Sequence, residues 1–197
     1  MPILSEEQCD LLTEIISILY KTVNRMREEK VDSVYEIVLT EDVLNDLQLL
    51  LGVRHNVLLR CSFECILTLF EWVEKRIEIQ ERQGESNPKA IENLSIYFAN
   101  SFTIDMLLQI VETFSDDFRK LAAITLTLML RNERSSHDIL RLFKELGGNE
   151  KLIGLMTTTQ NMEVRGRLLA CFQTITSCED QDILAELKDL NLVPIML

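Results

Sequence analysis

Phe118-Arg119-Lys120-Leu121-Ala122-Ala123-Ile124-Thr125-Leu126 is the stretch on which the fold turns. Apolar residues stand at its start and again four and eight places on, with small residues between them. That spacing follows one face of an α-helix and not the alternation of a strand. Two other segments superpose on it: Val57-Leu58-Leu59-Arg60-Cys61-Ser62-Phe63-Glu64-Cys65 and Val164-Arg165-Gly166-Arg167-Leu168-Leu169-Ala170-Cys171-Phe172. The three starts lie 61 and then 46 residues apart. A second echo sets Glu145-Leu146-Gly147-Gly148, ahead of Leu152-Ile153-Gly154-Leu155-Met156, against Asp189-Leu190-Asn191-Leu192, ahead of Val193-Pro194-Ile195-Met196-Leu197.

Outward from these segments the same grammar continues. Ser5 with Gln8 forms a capping box, with Leu4 and Cys9 as a hydrophobic staple. Leu11, Leu12, Ile15, Ile16, Leu19, Val23 and Met26 then make an amphipathic helix to about Arg27. Val34, Tyr35, Val38 and Leu39 form a short piece, and Thr40 caps a helix that Gly52 stops. The next helix runs from Asn56 to about Gln83, apolar at first and polar after Trp72-Val73, so that its tail projects from the body. Gln83-Gly84-Glu85-Ser86-Asn87-Pro88 reads as a loop, with Pro88 at the first position of a new helix. Further helices are expected at 88–99, 103–114, 117–131 (capped by Asp116), 137–146 (capped by Ser135-Ser136), 149–157, 163–177 (capped by Asn161) and 180–190. Gly and Pro together number nine in 197 residues, too few for the many turns of a sheet-rich fold. The expectation is a single all-α domain of about ten short helices.

The repeated segments resemble the armadillo and HEAT-type helical repeats. In armadillo proteins a glycine-containing turn leads into a second helix, and a polar turn then leads into a long third helix. Gly147-Gly148 into 150–156, followed by Asn161-Met162-Glu163-Val164, match that order. The resemblance is good over 101–197, the last repeat being incomplete, and loose over 34–73. Residues 5–30 would be a capping helix, 34–83 a first repeat-like unit with a polar extension, and 84–100 a loop and linking helix. It implies a right-handed α-solenoid whose grooved surface binds other proteins. A non-repeat helical bundle is the alternative. The repeat has physical sense, because each helix carries a stripe too wide to leave in water and is too short to fold alone.

The charge is −12, from 32 acidic and 20 basic residues. Residues 1–50 carry eleven carboxylates against four cations. Such a chain, lacking a basic stripe, repels phosphate backbones and anionic membrane surfaces, so neither nucleic acid nor membrane is an expected partner. Cys9, Cys61, Cys65, Cys171 and Cys178 lie in apolar helical patterns, and His55 and His137 are isolated. No metal or cofactor site is expected from them. Reduced, buried thiols and an N-terminus without a signal-peptide pattern point to the cytoplasm, or to the nucleus.

No nucleophile elbow or phosphate-binding loop occurs, and the pairs Asp116-Asp117 and Glu179-Asp180 sit where helix starts explain them. A Cys61–His55 nucleophile pair is the remaining catalytic arrangement, but Cys61 belongs to an apolar stripe. The function expected is therefore non-enzymatic protein binding by a scaffold or adaptor. The armadillo resemblance places groove-lining residues at Phe63 and Leu67, Ile124 and Leu128, and Ala170 and Thr174. None is the Trp or Asn that importin-like grooves use for basic peptides. Arg60 and Arg167, beside Arg131 and Arg141, would be the cations of a catenin-like groove for acidic peptides. With this register the groove is largely apolar and suits an amphipathic helix. With the register displaced by one, the same side chains are core. Val193, Ile195, Met196 and Leu197 end the chain on apolar residues where a repeat helix should begin. A fragment of a longer protein, or a terminal interface covered by a second copy or a partner, would account for that. Homo-oligomerisation through this end and a regulatory helical domain of a larger enzyme are the alternative functions.

Overall fold

A computed structural model describes residues 4–29, 40–83, 94, 97–131 and 133–177. Among them are eight helices and no strand: α1 (Glu6–Glu29), α2 (Glu41–Leu50), α3 (Asn56–Gln83), α4 (Ser101–Thr113), α5 (Asp116–Leu130), α6 (Glu133–Glu145), α7 (Gly148–Thr158) and α8 (Met162–Ser177). The chain is all-α. The expected short piece at 34–39, the Pro88 helix start, the helix at 180–190, Cys178 and the terminal residues Val193, Ile195, Met196 and Leu197 lie outside the described residues. The chain divides into two compact units, Met1–Phe98 and Ala99–Leu197.

In the first unit α1 starts on its capping box. The Ser5 amide donates to Gln8 Oε1 at 2.8 Å, and the Gln8 amide donates to Ser5 Oγ at 3.2 Å. Two first-turn donors that the helix itself cannot satisfy are thereby closed. The apolar residues of α1 divide into two stripes. Cys9, Ile16 and Val23, seven apart, are buried where α1 packs along α3, whereas Leu11, Ile15 and Ile18 remain exposed. α2 contributes Leu44, Leu47 and Leu50 to the same core, and Gln48 Nε2 donates to the Tyr97 carbonyl at 2.6 Å. Its N-cap Thr40 makes no side-chain cap bond. Gly52 takes no left-handed conformation either; the helix ends through right-handed Leu51 and a turn in which the Gly52 amide donates to the Leu49 carbonyl at 3.2 Å. α3 buries Leu58, Leu59, Phe63, Ile66, Leu69 and Phe70 almost completely. Phe70 meets Phe98 edge to face at 5.6 Å. Each such side chain contributes about 1.5–3 kcal/mol on burial.

The second unit is built around α5, which buries Phe118, Ala122, Ala123, Leu126, Met129 and Leu130 and packs against α4, α6 and α8. α4 also packs on α7, so the pair α4–α5 lies against the pair α7–α8. Two buried hydroxyls of α5 stay satisfied within the helix: Thr125 donates to the Leu121 carbonyl at 2.9 Å and Thr127 to that of Ala123 at 2.8 Å. Asn100 caps α4 by accepting the Thr103 amide at 2.9 Å, so the helix starts two residues earlier than periodicity alone suggests. Ser115, not Asp116, holds the cap position of α5. α6 begins at Glu133, so Ser135 and Ser136 lie inside it and do not cap it.

The Gly147-Gly148 pair has a distinct reason at each position. Gly147 sits at φ 68°, ψ 31°, the left-handed region, and turns the chain from α6 directly into α7. Gly148 lies against the Phe143 ring so closely that a Cβ there would come within 2.6 Å of three ring carbons. Phe143 itself is wholly buried.

Candidate functional site

The seam between α5 and α8 is positioned by a chain of polar contacts at the helix starts. Asn161 caps α8 by accepting the amides of Glu163 at 3.0 Å and Val164 at 3.3 Å. Its Nδ2 donates across the seam to Asp116 Oδ2 at 3.0 Å, while Arg119 Nη1 holds Asp116 Oδ1 at 3.1 Å. Lys120 Nζ reaches Glu163 Oε2 at 2.9 Å and Asp117 Oδ1 at 3.2 Å. The hydrogen bond that the Lys120 ammonium donates to Glu163, with that to Asp117, holds its pKa above the usual value. Exposed pairs of this kind contribute about 0–1 kcal/mol each, so their role is to fix register more than to hold the unit together.

The same guanidinium of Arg119 also reaches back to the end of the preceding helix. Nε donates to the Val111 carbonyl at 3.1 Å and Nη2 to the Glu112 carbonyl at 3.1 Å. Arg165, 46 residues later, reaches back to the C-cap of α7 through a single bond, its Nη2 donating to the Thr159 carbonyl at 2.9 Å. A cation against the unsatisfied carbonyls of a helix C-terminus is favourable on both hydrogen-bonding and dipole grounds. Sequence periodicity finds the apolar face of these helices but gives no sign of where the two arginines go.

The Lys120–Glu163 pair bridges α5 and α8 where both side chains reach solvent. From Lys120, Ile124 and Leu128 follow at one-turn intervals and Arg131 ends the row; from Glu163, Arg167, Ala170 and Thr174 follow at helical spacing. Ile124, Leu128, Ala170 and Thr174 are half-buried, and Arg131 and Arg167 are exposed. Thr174 Oγ1 donates to the Ala170 carbonyl at 3.1 Å. On the packed pair α5–α8, then, Ile124, Leu128 and Thr174 are half-buried while Arg131 and Arg167 are exposed.

The corresponding residues of the first unit do not repeat the arrangement. Arg60 is exposed and Leu67 half-buried, but Phe63 is 0% exposed and belongs to the core. α3 is packed by both α1 and α2, so fewer of its faces remain open than equal spacing from Val57 suggests.

The titratable groups singled out by sequence have structural engagements. His55 Nδ1 accepts the Leu58 amide at 3.2 Å, so the imidazole acts as the side-chain cap of α3. Burial, with the Glu64 carboxylate adding to it, raises the Cys61 thiol pKa. Burial pushes Cys65 up to about 12 and Cys171 likewise to about 12, so both stay protonated at neutral pH. Among the described residues no three His, Cys, Asp or Glu side chains converge as metal ligands. Among them, too, no helix is long and apolar enough to cross a membrane. No protein-family model, curated protein or solved structure matches the chain.

Proposed function

We propose that this chain is a non-enzymatic protein-interaction scaffold of armadillo-like design, working in the cytoplasm or nucleus, and that a partner segment docks on the α5–α8 face. The observation that carries the proposal is the row of Ile124, Leu128, Ala170 and Thr174, half-buried, with Arg131 and Arg167 exposed at its borders. An amphipathic helix with two aliphatic anchors and flanking carboxylates fits such a strip. The armadillo-like design is supported by the way α4–α5 packs against α7–α8, and by Arg119 and Arg165, 46 residues apart, each reaching back to a carbonyl at the end of the preceding helix. That interval falls within the 40–47 residues of armadillo and HEAT units.

The test is capture of partners from cytosolic and nuclear extract by the immobilised protein, quantified for wild type, Leu128→Glu and Arg167→Glu. The same retained proteins should be lost with both variants while thermal unfolding of Arg167→Glu stays at the wild-type temperature. Retention unchanged in both variants would sink the proposal. Arg167 is exposed, so its reversal leaves the core intact and keeps the experiment decisive even if Leu128→Glu fails to fold.

A further inference from the structure

α1 carries an apolar stripe that the first unit does not use. Leu11 is 59% exposed, Ile15 50% and Ile18 64%. With Thr22 they follow one another at intervals of four, three and four residues, which is the seam of a two-stranded coiled coil. The other large apolar side chains left in water among the described residues, Leu49, Val57 and Met162, stand singly on three different helices. Isolated exposed apolar residues are ordinary; three in register along one helix face mark a contact surface.

The charges of α1 select its occupant. From Glu6 to Tyr20 the helix holds four carboxylates (Glu6, Glu7, Asp10 and Glu14) and no cation; from Lys21 to its end at Glu29 it holds three cations (Lys21, Arg25 and Arg27) and two carboxylates (Glu28 and Glu29). A parallel second copy would set acid against acid. An antiparallel copy brings the four N-terminal carboxylates toward Lys21, Arg25 and Arg27 of the other helix, and a two-fold axis between Ile16 and Ser17 also aligns the stripe. In that register Ile15 faces the second copy's Ile18, and Leu11 its Thr22. Leu12 on one flank approaches the second copy's Leu19. Glu14 on the other flank lies beside the second copy's Lys21. Symmetry makes every one of these contacts twice. Glu14 and Lys21 are both exposed and stand on the same edge of the stripe.

We infer that a second copy of this chain docks antiparallel along the exposed face of α1, through Leu11, Ile15 and Ile18, with Glu14–Lys21 pairs fixing the direction. The stripe is small beside the roughly 800 Å² per partner of a standard interface, so the dimer is reversible and depends on concentration. This surface lies in the first unit and is independent of the α5–α8 face.

Sedimentation equilibrium over a wide concentration range tests it. The mass should rise from 22.8 kDa toward twice that value. Ile15→Asp should raise the dissociation constant more than about tenfold. Glu14→Lys and Lys21→Glu should each weaken the dimer about fivefold, and Glu14→Lys combined with Lys21→Glu should restore it. A chain that stays at 22.8 kDa throughout overturns the inference, as does a dimer indifferent to Ile15→Asp. If the two single reversals weaken association and the double reversal does not rescue it, the antiparallel register is wrong. All these positions are exposed, and helical circular dichroism identical to wild type confirms that folding is retained.

Discussion

Replacing Gly148 by Ala should destabilise the second unit, and the sign of the effect should depend on Phe143. The added Cβ would come within 2.6 Å of three carbons of the Phe143 ring, well inside van der Waals contact, and that ring is wholly buried and cannot swing into solvent. Forcing a methyl group into a filled core costs about 1–3 kcal/mol. Against this, Ala in place of Gly at the start of α7 contributes about 0.5 kcal/mol through the entropy of the unfolded chain and helix propensity. The net expectation is a loss of about 1–2 kcal/mol, read as a lower denaturation midpoint at unchanged slope in urea. Phe143→Leu removes the ring atoms and costs stability on its own. On that background Gly148→Ala should be neutral or slightly stabilising, a coupling of at least about 1 kcal/mol in the double-mutant cycle. If Gly148→Ala costs the same in both backgrounds, the close approach to Phe143 is not what requires glycine there. Gly147 supplies a built-in comparison: its φ of 68° makes Gly147→Ala unfavourable by about 1 kcal/mol whatever occupies position 143.

Two further perturbations probe the seam and the core. Asn161→Ala removes both the α8 cap and the bond to Asp116 and should cost about 1–2 kcal/mol; Asn161→Asp keeps a capping oxygen but sets it against the Asp116 carboxylate, so it should recover only part of that loss in thermal unfolding. Folded Cys65 and Cys171 titrate near 12 against 9.0 for the free thiol, so below about pH 9 both states hold their protons and the thiols confer no pH dependence. Above it only the unfolded chain releases them, so stability should fall by up to about 1.4 kcal/mol per pH unit per thiol. Urea unfolding at pH 8 and pH 10 should show that slope in wild type and a shallower one in Cys65→Ala with Cys171→Ala.

What the sequence discloses here is what lies within one turn of the residue concerned. Ser5 and Gln8 announce their helix because both halves of the box are three residues apart, and Asn161 does so because its acceptor serves the amides of Glu163 and Val164. Boundaries fail where two local candidates compete: Ser115 takes the cap position next to Asp116, which is drawn instead into bonds with Arg119 and Asn161. That second engagement joins residues 45 apart and has no local signature. The division of α1 into a buried and an exposed stripe is likewise invisible in its periodicity, since Ile15 and Ile16 are equally apolar and only packing on α3 separates them. Of the candidate binding residues, Ile124, Leu128 and Thr174 keep part of their surface in water, whereas Phe63 is closed over by neighbouring helices.

The two arginine contacts bear on how the second unit yields under stress. Arg119 reaches back only eight residues, to the carbonyl of Val111, and Arg165 only six, to that of Thr159, so each corner is locked by its own short stretch of chain. The polar ties between α5 and α8, by contrast, join distant parts of the chain, and the Lys120–Glu163 bond among them lies at the surface, where dissolved ions weaken it. Corners are therefore stiff and seams compliant. Under heat or load the layers should slip against one another while each bend keeps its angle, and backbone amides at the corners should exchange with solvent more slowly than their exposure alone suggests.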